Sequence, residues 1–414
     1  MKLSYELLDR IAAEHGSTFY LLDSSRFRQN FEALSAAFRS YYPSTRVAYS
    51  YKTNYVPRFC QIIDQLGGFA EVVSSMELTL ARQIGVPDEK IFFNGPYKEL
   101  AYVKSLLEGG GIVNVDSWDE LCAIRRMTDG IRGAPFKLGL RCNFDVQDGV
   151  LSRLGFDVHG AAFTDAISLI DANPSLALTG LQCHFATRSL ACWENRTKGM
   201  IGVIDRLFRN RVASFEFVSL GGGMYGRMPP EMMAQFPVPI PEFDDYAVAA
   251  AKPFAEFLRG LGKNPSPVLM VEPGTALVAD AMRFVCAVNS IKDVRGQSIV
   301  TLSGSLYNIN PTPNRKNVPI TVFSATEGEH LVERANFAGY TCIEGDYLYK
   351  GYTGRLSVGD YVVFEDVGSY SVVMKPPFIL PNVAILEPDP DGVSYRIIKR
   401  RETYEDVFQS YAFA

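Results

Sequence analysis

Val47-Ala48-Tyr49-Ser50-Tyr51-Lys52-Thr53-Asn54 is the stretch on which the reading of this chain turns. An apolar, β-rich run ends in a lysine immediately before a polar turn. A lysine held at a strand end beside a water-poor pocket loses its proton more readily and becomes an amine nucleophile. Alone, such a lysine reads as a solvated loop residue. The strands around it change that reading.

From about residue 46 to 272, short β-type runs alternate with amphipathic helical segments. Strands are expected at 46–51, 70–73, 91–94, 112–115, 137–142, 179–184, 215–220 and 267–272. Eight such strands with helices between them predict an α/β fold, a closed (β/α)8 TIM barrel, with an open doubly wound sheet as the rival. Ser74-Ser75-Met76-Glu77 and Asp116-Ser117-Trp118-Asp119-Glu120 supply helix start signals. After about residue 283 the helical period thins and β-branched runs follow one another at 298–302, 319–323, 361–364, 382–386 and 394–399, which predicts a mainly-β domain. The expected organisation is a barrel over 25–282 and a β-sandwich or barrel-like domain over 283–414, with 1–24 a possible contributor. The run 18–23 fits pairing with the β domain and fits leading into the barrel; the sequence leaves both open.

Composition narrows the function classes. The chain has 414 residues, 47% hydrophobic and 21% charged, with net charge −5, which argues against nucleic acid or a membrane surface as a general partner. No apolar run approaches the roughly 18 residues of a spanning helix, and the N-terminus lacks a signal-peptide core. Seven scattered cysteines without a CxxC pair argue for a reducing, cytoplasmic setting. Four separated histidines offer no metal-ligand spacing, so no metal is expected.

Barrel enzymes place chemistry at the C-terminal ends of their strands. Lys52 follows the first expected strand, His184 ends the sixth, Gly221-Gly222-Gly223 follows the seventh and Glu272 ends the eighth. These are parts that pyridoxal 5′-phosphate (PLP) needs: an amine for its aldehyde, donors for its phosphate and a partner for its ring nitrogen. Lys52 supplies the amine. Glu272 keeps the ring nitrogen protonated, since an opposite charge at short range favours the charged form. The glycines bring backbone N–H groups close to an anion, with Gly274 on the neighbouring turn, and the loop is not a Walker A because no Gly-Lys-Ser/Thr follows. His184 stacks on a flat ring. Cys342 offers a proton, Asp346 a carboxylate for a substrate ammonium, and Tyr370 a hydroxyl for phosphate. Taken singly, each has a plain alternative: a core histidine, a structural ion pair, a tight turn, a packing cysteine.

The ordered set resembles the fold-type III PLP-dependent decarboxylases, the group that includes diaminopimelate and ornithine decarboxylases. The likeness rests on 49–54, 72–78, 114–117, Ser152-Arg153-Leu154-Gly155-Phe156, Glu272-Pro273-Gly274, 342–346 and the closing Arg400-Arg401-Glu402-Thr403-Tyr404-Glu405-Asp406, and it spans nearly the whole chain. It implies an alanine racemase-like barrel with a β domain, paired head to tail as a homodimer with shared active sites. It implies that Cys342 and Asp346 reach the partner's barrel, and that an isolated subunit is inactive. Arg315, Asp346 and Glu344 are the expected contacts to a small amino-acid substrate.

Three departures accompany the match. The family's arginine after Glu-Pro-Gly is Thr275 here. The Gly-Ser pair after the histidine reads Phe185-Ala186-Thr187-Arg188. The glutamate that diaminopimelate enzymes carry after the cysteine is Ile343, with Glu344 one place later. The expected reaction is α-decarboxylation of a diamino acid or a modified or conjugated amino acid in a biosynthetic pathway, such as one to a siderophore. A racemase or epimerase and a non-catalytic PLP-binding protein are the alternatives. Racemases of this fold set an arginine against the ring nitrogen, so Glu272 favours decarboxylation.

Overall fold

The structure is a computed structural model that describes residues 2–131, 133–262, 267–310, 316–326 and 328–413. The chain divides into two compact units, one of residues 29–225 with 240–276 and one of residues 1–28, 226–239 and 277–414.

In the first unit all eight expected strands form, with ends displaced by up to three residues: Thr45–Ser50, Phe69–Val72, Ile91–Phe93, Ile112–Val115, Phe136–Asn143, Leu176–Gln182, Phe217–Ser219 and Val268–Val271. All pair in parallel, and the eighth pairs with the first (Leu269 with Thr45), which closes the barrel and disposes of the open-sheet rival. One pattern recurs around the ring. Each strand sets an apolar residue or glycine two positions before a polar one: Ala48 and Ser50, Phe69 and Glu71, Phe92 and Asn94, Ile112 and Asn114, Gly139 and Arg141, Gly180 and Gln182, Phe217 and Ser219, Met270 and Glu272. Strand side chains repeat every two residues on one face, so the inner wall carries an apolar layer below and a polar layer above.

The apolar layer gathers Ala48, Phe92, Ile112, Phe217 and Met270, with the rings of Phe92 and Phe217 edge to face at 4.9 Å. Gly139 and Gly180 make room for it. A Cβ on Gly180 would lie 2.5 Å from the Phe217 ring, and one on Gly139 2.9 Å from it. All eight residues of the polar layer are buried.

Both helix start signals operate. Ser74 Oγ accepts from Glu77 N, and the Glu77 carboxylate accepts from Val73 N at 2.7 Å. Ser117 and Glu120 repeat the arrangement, with Glu120 accepting from Asp116 N at 2.7 Å.

The second unit is a sheet. Thr18–Leu22 pairs antiparallel with Met282–Val294 and parallel with Ala384–Pro388, so the early run left open by sequence belongs here. Leu7, Leu8 and Ile11 of the helix Tyr5–His15 cover this sheet through Phe19, Leu21, Val285 and Leu386. The excursion 226–239 also joins this unit, through Gln235, whose side chain pairs with the backbone of Asn317 at 2.8 and 2.9 Å. The two strands His330–Ala338 and Tyr347–Leu356 were not expected; they form an irregular hairpin.

Candidate active site

Lys52 stands in the 3-10 turn Tyr51–Thr53, directly above the first barrel strand. Its neighbours Tyr49 and Tyr51 are wholly buried, and Tyr49 donates its hydroxyl to Asn54 O at 2.8 Å, which anchors both ends of the turn. Lys52 Nζ donates to Glu71 Oε2 at 2.5 Å and to Ser50 Oγ at 2.7 Å. A carboxylate at that range is placed to take a proton from the amine when it must attack an aldehyde.

The polar layer carries this contact across the barrel. Asn94 Nδ2 donates to Glu71 Oε1 at 3.1 Å and to Glu272 Oε2 at 3.2 Å, and Asn114 Nδ2 donates to Asn94 Oδ1 at 2.7 Å. Glu272 also accepts from Ser219 Oγ at 2.6 Å and from Gln182 Nε2 at 3.2 Å. Burial raises the Glu272 carboxyl and the charge of Glu71 adds to this, while the Ser219 bond, Lys52 and Gln182 oppose them. A cation brought to this carboxyl therefore meets an acid that gains from becoming charged.

His184 closes the sixth strand beside the glycine loop. Gly222 N donates to His184 Nδ1 at 3.0 Å, so Nδ1 is the bare nitrogen and a neutral ring carries its proton on Nε2. Burial holds this imidazole well below its ordinary value, helped by the cations Lys52, Arg196, Arg141 and Arg188. The glycines fit where no other residue would. Gly221 adopts φ +71°, and a Cβ on Gly222 would lie 2.2 Å from Glu272 O. A Cβ on Gly274 would lie 1.9 Å from Thr53 Oγ1. The glycine loop and the Glu272-Pro273-Gly274 turn thus press against the lysine turn and the histidine strand.

Sequence reading missed several members of this constellation. Glu71, Gln182 and Ser219 lie inside strands and Asn94 directly follows one, so they read as ordinary strand residues; the apolar-then-polar repeat at two-residue spacing is the signal for them. Arg196 is the larger omission. It lies on the helix Leu190–Val203, is wholly buried, and donates to Leu220 O at 3.0 Å, Gly222 O at 2.6 Å and Phe185 O at 2.8 Å. Its guanidinium lies 4.3 Å from the centre of the Trp193 ring. One cation thereby ties the histidine loop to the glycine loop.

The remaining candidates belong to the β unit. Cys342 and Glu344 are exposed on the turn after the strand His330–Ala338. Asp346 is buried and accepts from Leu306 N at 2.7 Å, Ser305 Oγ at 3.1 Å, and Thr341 N and Oγ1 at 3.2 and 2.6 Å. These donors all lie in its own unit, and the acid holds the turn that displays Cys342. Tyr370 is half-buried with φ +62°, an uncommon backbone for an aromatic residue. Arg315 lies outside the described residues.

The sequence profile of the family described as "Pyridoxal-dependent decarboxylase, pyridoxal binding domain" matches residues 28–279. The chain belongs to the pyridoxal-dependent decarboxylases. Among relatives of this decarboxylase, the diaminopimelate decarboxylase of Aquifex aeolicus is 22% identical over 97% of this chain and 93% of its own. A diaminopimelate decarboxylase from M. jannaschii, solved with L-lysine, superposes with a TM-score of 0.82 at 22% identity, covering 98% of this chain and 94% of that one. A lysine/ornithine decarboxylase from Vibrio vulnificus, solved with putrescine, gives 0.74 at 19% identity over 93% and 98%. These likenesses fix the fold: the TIM barrel with a C-terminal β domain.

The family's cofactor is PLP, and the residues present suit it. An amine, a buried carboxyl that favours a cationic partner, and a glycine-rich loop held between His184 and Glu272 surround one mouth of the barrel. Lys52 would hold the aldehyde carbon, Glu272 the ring nitrogen, and Gly222, Gly223 and Gly274 the phosphate. Among the described residues, no helix is long and apolar enough to cross a membrane.

Proposed function

We propose that this protein releases the α-carboxylate of a diamino acid, or of an amino acid modified or conjugated at its far end, as carbon dioxide. The observation that carries the reading is the buried Glu272 carboxyl at the end of the eighth strand, braced by Ser219, Gln182 and Asn94. An acid there favours a protonated ring, the stronger electron sink, in contrast to the arginine that racemases of this fold set against the ring nitrogen. When bound, PLP supplies the sink for the electron pair left by the departing carboxylate.

The chain's residues then divide the work. Lys52 would hold the cofactor, and Glu71 is placed to take and return the proton at Nζ. Neutral His184, fixed in one tautomer by the Gly222 N–H, would support the cofactor ring. Cys342, contributed by the other subunit of a head-to-tail homodimer, returns a proton to Cα. Tyr370 adds a hydroxyl to the phosphate. The far end of the substrate falls to Asp346, Glu344 and Arg315. The names of the relatives support a diamino substrate. Ile343, standing where diaminopimelate enzymes carry a glutamate, argues for a side chain other than that of diaminopimelate, as in siderophore or other specialised biosynthesis. The free cysteines suit a reducing cytoplasm.

The test is a screen of ornithine, lysine, diaminopimelate and citrate-conjugated diamino acids, read as mass loss of carbon dioxide. Wild type is expected to turn over at least one of them. Lys52→Ala is expected to turn over none, and to keep no cofactor at residue 52 after borohydride treatment. Unchanged turnover in Lys52→Ala would overturn the proposal.

A further inference from the structure

Four cations surround His184, and two are matched by acids. Lys52 meets Glu71 at 2.5 Å and Arg141 meets Asp116 at 3.2 Å. Arg188 and Arg196 have no carboxylate partner among the described residues. Arg196 is satisfied by carbonyl oxygens, and its Nε makes no hydrogen bond. Arg188 is half-buried; its Nη2 lies 3.3 Å from Thr275 Oγ1 and its guanidinium 5.4 Å from the centre of the Tyr225 ring. A guanidinium drawn out of water without an anion is costly, and carries five donors in a fixed fork suited to phosphate or carboxylate.

The position of Arg188 says which anion. Thr275 follows the eighth barrel strand, and Tyr225 ends the glycine loop that follows the seventh. Loops after the seventh and eighth strands are where barrels of this kind bind phosphate. A phosphate monoester carries about −1.5 to −2 charges at neutral pH, which balances the two unmatched arginines. We infer that Arg188, reaching over from the loop after the sixth strand to Thr275, is the guanidinium that grips the cofactor phosphate in this protein. Arg188 then supplies the charge that Thr275 lacks, and the hydroxyl of Thr275 orients the fork. Arg196 holds the carbonyls of Leu220 and Gly222 and so fixes the course of the glycine loop beside it.

The inference rests on the PLP reading of the site, and one titration separates the two. The full-length chain, stripped of cofactor, is titrated with PLP and with pyridoxal, which lacks the phosphate; binding is followed by the absorbance of the Lys52 adduct. Arg188→Ala and the size-conserving Arg188→Gln are expected to weaken PLP by about 10- to 100-fold, the scale of a lost charge-assisted contact. Pyridoxal should stay within about twofold of wild type, and inorganic phosphate should compete with PLP in wild type and lose that effect in the variants. PLP affinity that survives in both variants, or equal losses of PLP and pyridoxal, would overturn the role of Arg188. A wild-type chain that forms no adduct with either ligand would sink the cofactor reading instead.

Discussion

Asn94 sets one amide nitrogen between two carboxylates, Glu71 at 3.1 Å and Glu272 at 3.2 Å, and through them joins the lysine side of the site to the ring-nitrogen side. Asn94→Leu leaves two buried acids facing each other without a shared donor. One of them then takes a proton, and the electrostatics that suit Lys52 and the ring nitrogen are lost together. The expected result is a kcat lowered by about tenfold or more and a stability loss of about 1–3 kcal/mol, measured by carbon dioxide release and by denaturant midpoint. How much of this site the sequence discloses follows from where each residue stands. Lys52, His184 and Glu272 interrupt a strand ending and are conspicuous. Asn94 and Gln182 are polar residues one step further along an inward face, visible only once the eight strands are aligned. Arg196 was hidden by helical periodicity, which makes a charge on a helix look solvated; here the side chain runs inward under Trp193.

The strand-to-helix junction at Ser74 and Glu77 carries a charge state as well as a cap. Burial lifts the Glu77 carboxyl up to about 7 from an ordinary 4.5, with the charge of Glu71 assisting and the Val73 N–H and Lys52 opposing. The folded chain therefore holds this proton more tightly than the unfolded one. Stability linked to Glu77 is fully present below about pH 4.5 and is lost as pH rises through about 7. Glu77→Gln keeps an acceptor for Val73 N and removes the titration. The variant is expected to gain on wild type by about 2–3 kcal/mol between pH 5 and 8, read as the difference between their denaturation midpoints across that range. In the apolar layer, Gly180→Val should drive a side chain into the Phe217 ring, with a loss of about 1–3 kcal/mol or more in thermal unfolding. The barrel strands were legible because buried parallel strands read as compact apolar runs between capped helices. The hairpin His330–Ala338 with Tyr347–Leu356 was not. Its register shifts near Val332, Ala335 and Phe337 break the two-residue alternation, and many of its side chains are exposed.

At the level of the whole molecule, the proposed sharing of sites between subunits has an arithmetic consequence. Lys52→Ala and Cys342→Ala dimers are each expected to be severely impaired. If Cys342 acts in the partner's barrel, mixing and reassorting the two restores one working site in each hybrid. Random exchange makes about half of the dimers hybrid, so about a quarter of wild-type activity should return. Absence of recovery, with hybrid formation verified by mass, would place both residues in one subunit's site. The division of labour between the units was legible in outline from the change of pattern near residue 283. The assignment of 226–239 to the β unit was not, because it depends on Gln235 and Asn317, which are distant in sequence and unremarkable in type.

The interlocked rings of Phe92 and Phe217, seated on Gly139 and Gly180, act as a stopper across the barrel axis. Barrels of this kind have a packed interior and not a pore, so reactant and amine product meet the site from the strand-end side, and the amine that remains after carboxyl loss keeps the far end by which its parent acid was held. The product should therefore compete with fresh substrate for the same entrance, and inhibition by added diamine should vanish at saturating amino acid.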